Sequence, residues 1–586
     1  MQGYARFPMR RLGPEPHAIE RGKTAHMSDF DEVLDFVVVG SGGGSMCAAL
    51  LMRSEGKSVL ILEKEDLVGG TTARSGGVMW IPNNPFMKRD GVQDSFEQAT
   101  AYLDSVVGDP DDAPGTSRQR RSRYLNQAPR MVQFLIDQGI RLTRVTEWPD
   151  YYDDRPGGSA LGRTVVAELF NVNELGLWKN KLRKGFLQLP ATLDELLELP
   201  AFKRSWRIKL LMLKIGFRAI AAKLTGKHWI SSGAALQGRM LQAALRADVD
   251  IRPGSPVREL IVKDGAVVGV ATVKDGRPWK VGARLGVLVN AGGFARNQRM
   301  RDRYQPGTSV KWTMASTGDT GEMIEEMMRH GAAIAQMEEM VGTQLTIPPE
   351  EQGADFMPTA QRLTAAPHAI LVDQSGVRYM NEGGSYMAFC KGMFERNRQV
   401  PAVPSWAIFD QQYINKYMLA GKMPGSRKPQ RWLDEGYLHK ANTVEDLAQQ
   451  LKMDSATLKN TVERFNGFVA GNKDEDFHRG ERAYDRWLGD PFQQPSASLG
   501  VIAQAPFYAV PVVPGDVSTY GGVVTDEYAR VLQADGAVIP GLYATGVSTA
   551  SVMGRAYPGA GCSIGPSFVF GYIAAQHAAG IDSINA

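Results

Sequence analysis

Two residue types here could do chemistry by their spacing: glycines that bare the backbone, and an acid at a set distance from them. Gly40-Ser41-Gly42-Gly43-Gly44-Ser45 is a glycine-rich run, and Glu63 lies 23 positions after its first glycine. Such a set recognises a dinucleotide. A helix N-terminus offers a pyrophosphate unpaired N–H groups and a positive dipole end, and glycine lets the backbone come close. Gly40 and Gly42 suit the turn and the approach. The third position of G-x-G-x-x-G is Ser45, small but not glycine. Glu63 is set to accept hydrogen bonds from ribose hydroxyls.

These residues act only if strands and a helix hold them. Asp35-Phe36-Val37-Val38-Val39 is a short β-branched run that reads as a buried strand. Residues 46–51 read as a helix, and 58–62 as a second strand ending on Glu63. This is a β–α–β unit. Residues 257–289 alternate short strands about turns at Asp264-Gly265 and Asp275-Gly276, then run through Asn290 into Ala291-Gly292-Gly293. Residues 541–546 read as strand into turn, and 565–579 as a last helix.

After Glu63 comes Gly69-Gly70-Thr71-Thr72-Ala73-Arg74-Ser75-Gly76-Gly77. With this second glycine loop the sequence resembles the FAD-dependent dehydrogenases and reductases that include fumarate reductase flavoproteins. Ala291-Gly292-Gly293 and residues 541–546 are similar to that family's later FAD contacts, although Val547 stands where an Asn often follows the glycine. The resemblance implies non-covalent FAD. Its contacts would be Gly40, Ser41, Gly42, Ser45, Glu63 and Lys64 near the adenosine and pyrophosphate. Gly70, Thr71, Thr72, Ser75, Gly76 and Gly77 would follow, then Val257, Ala291, Gly292, Gly546, Ser563 and Ile564. It also implies an α/β fold, with a Rossmann-like FAD-binding domain from both chain ends (33–300 and 513–582). An α+β catalytic domain (301–512) is inserted between them, behind a disordered leader (1–32).

Three further segments resemble the 3-ketosteroid Δ1-dehydrogenases: Trp148-Pro149-Asp150-Tyr151, residues 379–386 ending on Tyr386, and 554–561 with Tyr557 and Gly561. Desaturation beside a ketone needs a polarised carbonyl, a base for the acidified α-proton and a hydride acceptor. By resemblance, the Tyr557 hydroxyl and the Gly561 N–H hold the 3-keto oxygen of a steroid as an oxyanion-hole pair. Glycine at 561 would let the backbone reach that oxygen. Tyr386 takes the C2 proton with help from Tyr151, and hydride leaves C1 for the flavin; Tyr152 is the alternative to Tyr151. A phenol of pKa about 10 is ionised roughly once in a thousand at pH 7, so Tyr386 needs that help or a lowered pKa. A Δ4-(5α)-dehydrogenase or a non-redox flavin hydratase or isomerase are the alternatives. The implied partners are a 3-ketosteroid and a quinone-type or artificial electron acceptor.

Composition excludes other classes. With 43% apolar and 22% charged residues, the 586-residue chain is that of a folded protein. A net charge of +4 argues against a nucleic-acid partner. Cys47, Cys390 and Cys562 form no CxxC, and the eight histidines show no metal-binding spacing. No run of 18 apolar residues spans a membrane, and no secretory signal opens the chain.

The charge is uneven. Residues 176–230 hold twelve Lys or Arg against Asp194, Glu195 and Glu198, a net of +9, which leaves −5 for the rest. Phe202, Trp206, Leu210, Leu213, Phe217, Ile220 and Leu224 form one stripe of a helix, flanked by Lys203, Arg207, Lys214 and Arg218. That pattern suits a helix lying on an anionic membrane, and the expected location is cytoplasmic, against the inner face of the cell membrane. The alternative is a core helix with a solvated basic edge. A membrane-docked enzyme would take sterol-like 3-ketones such as cholest-4-en-3-one.

Overall fold

The structure, a computed structural model, describes residues 29–108, 114–186, 189–199 and 205–581. Residues 1–28 of the expected leader, and Phe202 and Lys203 of the insert, lie outside the described residues.

Phe36, Val37, Val38 and Val39 are all buried, as a strand covered on both faces must be. Their strand, Glu32–Val39, begins earlier than the apolar run: Glu32 is inside it, and Asp29 is paired with Lys263. Residues 29–32 therefore belong to the fold and not to a leader. This strand is central in an eight-stranded sheet, pairing in parallel with Val59–Leu62 on one side and Arg277–Val289 on the other. Asp250–Arg252 extends the sheet beyond Val59–Leu62, and Val538–Ala544 extends it beyond Arg277–Val289. Segments from both ends of the chain thus meet in one sheet.

The two Asp-Gly pairs make the tight turns expected of them. Asp264 and Gly265 have φ of +50° and +76°, and Asp275 and Gly276 have +51° and +75°, the positive pair that two-residue hairpins use. They join Glu259–Lys263, Ala266–Lys274 and Arg277–Val289 as an antiparallel ribbon.

The helices Gly43–Ser54 and Ile564–Ala579 cross at backbone contact. A Cβ on Gly44 would lie 2.2 Å from the Ser567 carbonyl oxygen, and one on Gly571 would lie 2.3 Å from that of Gly44. This crossing brings the two helix N-termini to the same edge of the sheet.

A second, antiparallel sheet follows the order Met340–Leu345, Phe507–Thr519, Ser405–Asp410, Ala369–Val372, with His439–Ala441 also on Phe507–Thr519. The strand Phe507–Thr519 runs through the division expected at 512/513.

The basic insert leaves and returns at one point, where Phe170 pairs with Ile230 and Asn171 with Trp229. Its described helices include Leu193–Glu198 and Trp206–Leu224. Among the described residues no helix is long and apolar enough to cross a membrane.

Candidate active site

A long cleft runs along the sheet edge where the helices begin. The N-termini of Gly43–Ser54, Gly70–Arg74 and Ile564–Ala579 line it. None of these three has a capping bond from its N-cap side chain or an acid in its first turn, so their dipole ends point at the cleft; the Gly43 N–H donates to Thr72 Oγ1 at 3.5 Å and the Gly565 N–H to the Gly561 carbonyl at 2.8 Å.

Asn290, at the end of Arg277–Val289, is the post around which the cleft is built. Gly40 (φ +93°) and Gly546 (φ +65°) both close on it. A Cβ on Gly40 would lie 2.3 Å from the Asn290 carbonyl oxygen, and one on Gly546 would lie 2.4 Å from its Oδ1. Ser45 lies outside the cleft wall, and its Oγ accepts from Asn290 Nδ2 at 3.0 Å. The serine at the third fingerprint position thus holds the post.

Glu63 is buried at the end of its strand. Its Oε2 accepts from the Ser41 N–H at 3.1 Å and the Ser41 Oγ at 2.5 Å, and its Oε1 from the Glu65 N–H at 3.0 Å. Burial pushes its carboxyl above the usual range, against the pull of those donors.

Of the expected cofactor residues, Gly40, Ser41, Gly42, Glu63, Lys64, Gly70, Thr71, Thr72 and Ser75 line the cleft, as do Val257, Ala291, Gly292, Gly546, Ser563 and Ile564. Gly76 and Gly77 stand outside that lining with Ser45. Gly77 instead meets the start of the helix Ser232–Arg246, where a Cβ would lie 2.5 Å from the Gly233 nitrogen. Asn290 and Asp319 also line the cleft. Asp319 does not cap the next helix, whose N-cap is Gly321. Its Oδ2 accepts from Thr71 Oγ1 at 2.9 Å, and burial pushes it up to about 7. Arg74 is buried with its guanidinium over the Phe356 ring at 4.4 Å, whereas Arg555 is an exposed partner of Glu338. Bare backbone, three converging helix N-termini and a buried acid at the strand end fit a flavin dinucleotide.

Near the third helix end, tyrosines from distant segments meet. The Tyr386 ring lies 5.2 Å from Tyr151 and 5.2 Å from Tyr557, and Tyr151 lies 6.0 Å from Tyr557. Two loops are tied together to achieve this. The Tyr151 N–H donates to the Pro558 carbonyl at 2.9 Å, and the Tyr102 hydroxyl donates to the same oxygen at 2.6 Å. Below them Asp150 accepts from Trp80 Nε1 at 2.7 Å and pairs with Arg163 at 2.8 Å. Burial raises Asp150 to about 6 although Arg163 opposes it.

No sequence pattern singles out Tyr484, yet its ring is 4.3 Å from Tyr151 and its hydroxyl accepts from Gln361 Nε2 at 2.8 Å. Tyr152 lines a surface pocket with Arg155, Lys391 and Arg555. Tyr557 exchanges a hydrogen bond with Ser563 Oγ at 3.0 Å, and burial pushes its phenol up to about 12.

Tyr386 departs from the lowered pKa that would make a phenol a ready base. Burial raises its phenol well above the ordinary value, and the neighbouring phenols of Tyr151 and Tyr557 raise it further. Gly561 also meets a packing constraint that the sequence does not announce. Its φ is +95°, and a Cβ there would lie 2.4 Å from the Val78 carbonyl oxygen and 2.7 Å from the Trp80 nitrogen. Packing against the Val78–Trp80 segment by itself excludes a side chain there.

The profile of an FAD binding domain matches residues 35–564. The chain is 39% identical over 557 residues to a 3-oxosteroid 1-dehydrogenase of Mycolicibacterium smegmatis, covering 92% of this chain and 96% of that one. It is 38% identical over 561 residues to a 3-oxosteroid 1-dehydrogenase of Mycobacterium tuberculosis, covering 93% and 98%. Among solved structures, it is similar to a 3-ketosteroid Δ1-dehydrogenase from Sterolibacterium denitrificans in complex with 1,4-androstadiene-3,17-dione. There the TM-score is 0.86 at 34% identity, over 94% of this chain and 100% of that chain.

Proposed function

The chain belongs to the family of FAD-dependent 3-ketosteroid Δ1-dehydrogenases, and from that membership we propose that it converts 3-keto-4-ene steroids to 1,4-dienes, with Tyr151, Tyr386, Tyr557 and Gly561 as its chemical groups. The observation that carries this reading is the meeting of three tyrosine rings, with centroids within 6.0 Å, beside the glycine-lined cleft. Bound FAD supplies the acceptor for the hydride lost from C1. Tyr386 takes the proton lost from C2, and Tyr151 is its hydroxyl partner. The Tyr557 hydroxyl and the Gly561 N–H hold the 3-keto oxygen. Because Tyr386 is raised and not lowered, this pair must acidify the C2–H as the proton moves. A quinone-type compound would be the electron acceptor that regenerates the oxidised cofactor.

Anaerobic mixing of the FAD-loaded protein with androst-4-ene-3,17-dione should bleach the flavin and yield the 1,4-dien-3-one. A flavin that stays oxidised overturns the reading. So does product only from 5α-saturated steroids, as the 4-en-3-one.

The finer reading concerns where substrate comes from. The buried face of Trp206–Leu224 is Ile208, Ile215 and Ala222. The expected stripe is on the opposite face, in solvent: Trp206 is 77% exposed, Phe217 70% and Leu224 83%. Seven large apolar side chains in water on one helix, Met212 with the six of the stripe, are costly unless something covers them. An anionic membrane surface fits, but fewer cations serve it than the composition suggests. Arg207 pairs with Glu198 at 2.8 Å, and Lys214 and Arg218 pair with Glu195 at 3.1 and 2.7 Å. Burial raises Glu195, but those donors prevail and hold it near 2. Lys209, over the Trp206 ring, and Lys223 remain beside the stripe. The apolar stripe therefore carries most of the binding, and sterol-like ketones such as cholest-4-en-3-one suit an enzyme so placed. The protein should float with vesicles containing anionic lipid. A Trp206→Glu/Phe217→Glu variant should float at least about tenfold less, since two apolar groups are lost and two charges inserted. Equal flotation of the two proteins sinks the membrane reading.

A further inference from the structure

A cleft that takes a pyrophosphate gains nothing from carboxylates in its wall, yet four line this one. They are Glu63, Glu65, Asp319 and Glu322, and among the described residues Lys64 is the lone cation of that lining. Lys64 is committed to Glu322. A dinucleotide brings two further negative charges, and like charges in a partly buried site weaken binding. The three helix N-termini oppose that repulsion, but each carries only a partial charge. The other acids need cations from behind the wall.

For Glu65 that cation comes from the basic insert. Arg183 Nη2 donates to Glu65 Oε2 at 2.5 Å, and Arg183 is only 7% exposed. The other side-chain donors to this carboxylate are neutral, the Ser316 hydroxyl at 3.2 Å and the Thr317 hydroxyl at 2.5 Å. Hydroxyls satisfy a carboxylate without cancelling its charge. The neighbouring guanidinium groups are engaged elsewhere, Arg74 with Asp355 and Arg296 with the Ala315 carbonyl. Burial raises the Glu63 carboxyl, and Arg183 is among the groups that oppose it.

The backbone fixes Arg183 in this place. The Val68 N–H donates to the Lys181 carbonyl at 2.8 Å, and the Arg183 N–H donates to the Val68 carbonyl at 3.0 Å. Leu182 between them is buried against the helix Ser232–Arg246, where a Cβ on Gly238 would lie 3.4 Å from its Cδ2. Lys181 and Lys184 are exposed, so Arg183 is the inward cation of this basic run.

We infer that Arg183 is a positioning residue for the flavin dinucleotide. It neutralises Glu65 in the cleft wall, and through this one side chain the insert is an electrostatic part of the cofactor site. The inference rests on FAD occupying the cleft, and not on which ketone is oxidised.

The test titrates the apoprotein with FAD and follows flavin fluorescence, so steroid turnover plays no part. Arg183→Met and Arg183→Gln should each raise the Kd for FAD at least about tenfold, because Glu65 is left unpaired beside the phosphates. Arg183→Lys, which keeps the charge, should stay within about threefold of the wild type. Adding Glu65→Gln to Arg183→Met should bring the Kd back to within about threefold, since both charges then go together. Two truncations at 183 guard against one of them failing to fold. A Kd unchanged within about twofold in both truncations overturns the inference. So does a double variant that binds FAD no better than Arg183→Met, because a brace acting by shape alone is not repaired by a second substitution. Wild-type apoprotein that takes up no FAD would instead overturn the assignment of the cleft to the flavin.

Discussion

Replacing Tyr386 by Phe is expected to leave a folded, FAD-binding, steroid-binding protein whose turnover has fallen by about a thousandfold, the usual worth of a general base. The ring would keep its 5.2 Å contacts with Tyr151 and Tyr557, so only the hydroxyl is lost. The pH profile provides a second readout. A base acts when deprotonated, and Tyr386 is raised above the ordinary phenol value of about 10. In the wild type, kcat/KM should therefore climb with pH and show no plateau below about pH 10, and in Tyr386→Phe that climb should vanish. Steroid binding, followed by the perturbation of flavin absorbance, should change little. If Tyr386→Phe keeps more than about a tenth of the activity and the alkaline rise, the base is another group, with Tyr151 the first to examine.

Gly561→Ala should fail for a different reason. At φ +95° an alanine is strained, and its Cβ would lie 2.4 Å from a carbonyl oxygen in the Val78–Trp80 segment. Neither partner can give way: Met79–Trp80 is a strand paired with Thr164–Ala167, and Trp80 is anchored by Asp150. Strain and overlap together should cost about 4 kcal/mol or more, at the far end of single-substitution effects. The expected result is a large fall in melting temperature or insoluble protein, with FAD lost from what remains. If the variant instead melts like the wild type and loses only steroid binding, the glycine is there for the ligand, and the packing account is wrong.

The glycine-lined cleft is largely legible in the amino-acid sequence. Its signals are local: glycines at positions of positive φ, a β-branched run, an acid at the end of the next strand. Two positions mislead a local reading because their surroundings are not local. Ser45 looks like a weakened glycine but holds Asn290, and Gly77 answers to the helix Ser232–Arg246. Asn290 stands in plain view at the end of its strand, but nothing in its chain neighbours tells that Gly40 and Gly546 close on it.

The tyrosine cluster is legible only through resemblance. Tyr151, Tyr386 and Tyr557 have no mutual spacing that periodicity can detect, and Tyr484 carries no signal at all. The insert divides the same way. Period 3.6 places Trp206, Leu210, Leu213, Phe217, Ile220 and Leu224 on one face, but it cannot say which face is covered. Nor can composition reveal that Arg207, Lys214 and Arg218 are spent on Glu198 and Glu195.

The elements and turns are thus written in the chain itself: the β–α–β unit around Gly40, the two Asp-Gly hairpins, and the amphipathic stripe. Each follows from backbone torsions and side-chain periodicity within a few residues. Where those elements meet is a matter of the folded molecule. The phenol cluster, the ionisation of Tyr386, the reason for Gly561 and the outward face of the insert all depend on contacts between segments far apart in the chain. Such contacts are selected by the packing of the whole protein, because burial and close approach are properties of neighbours in space.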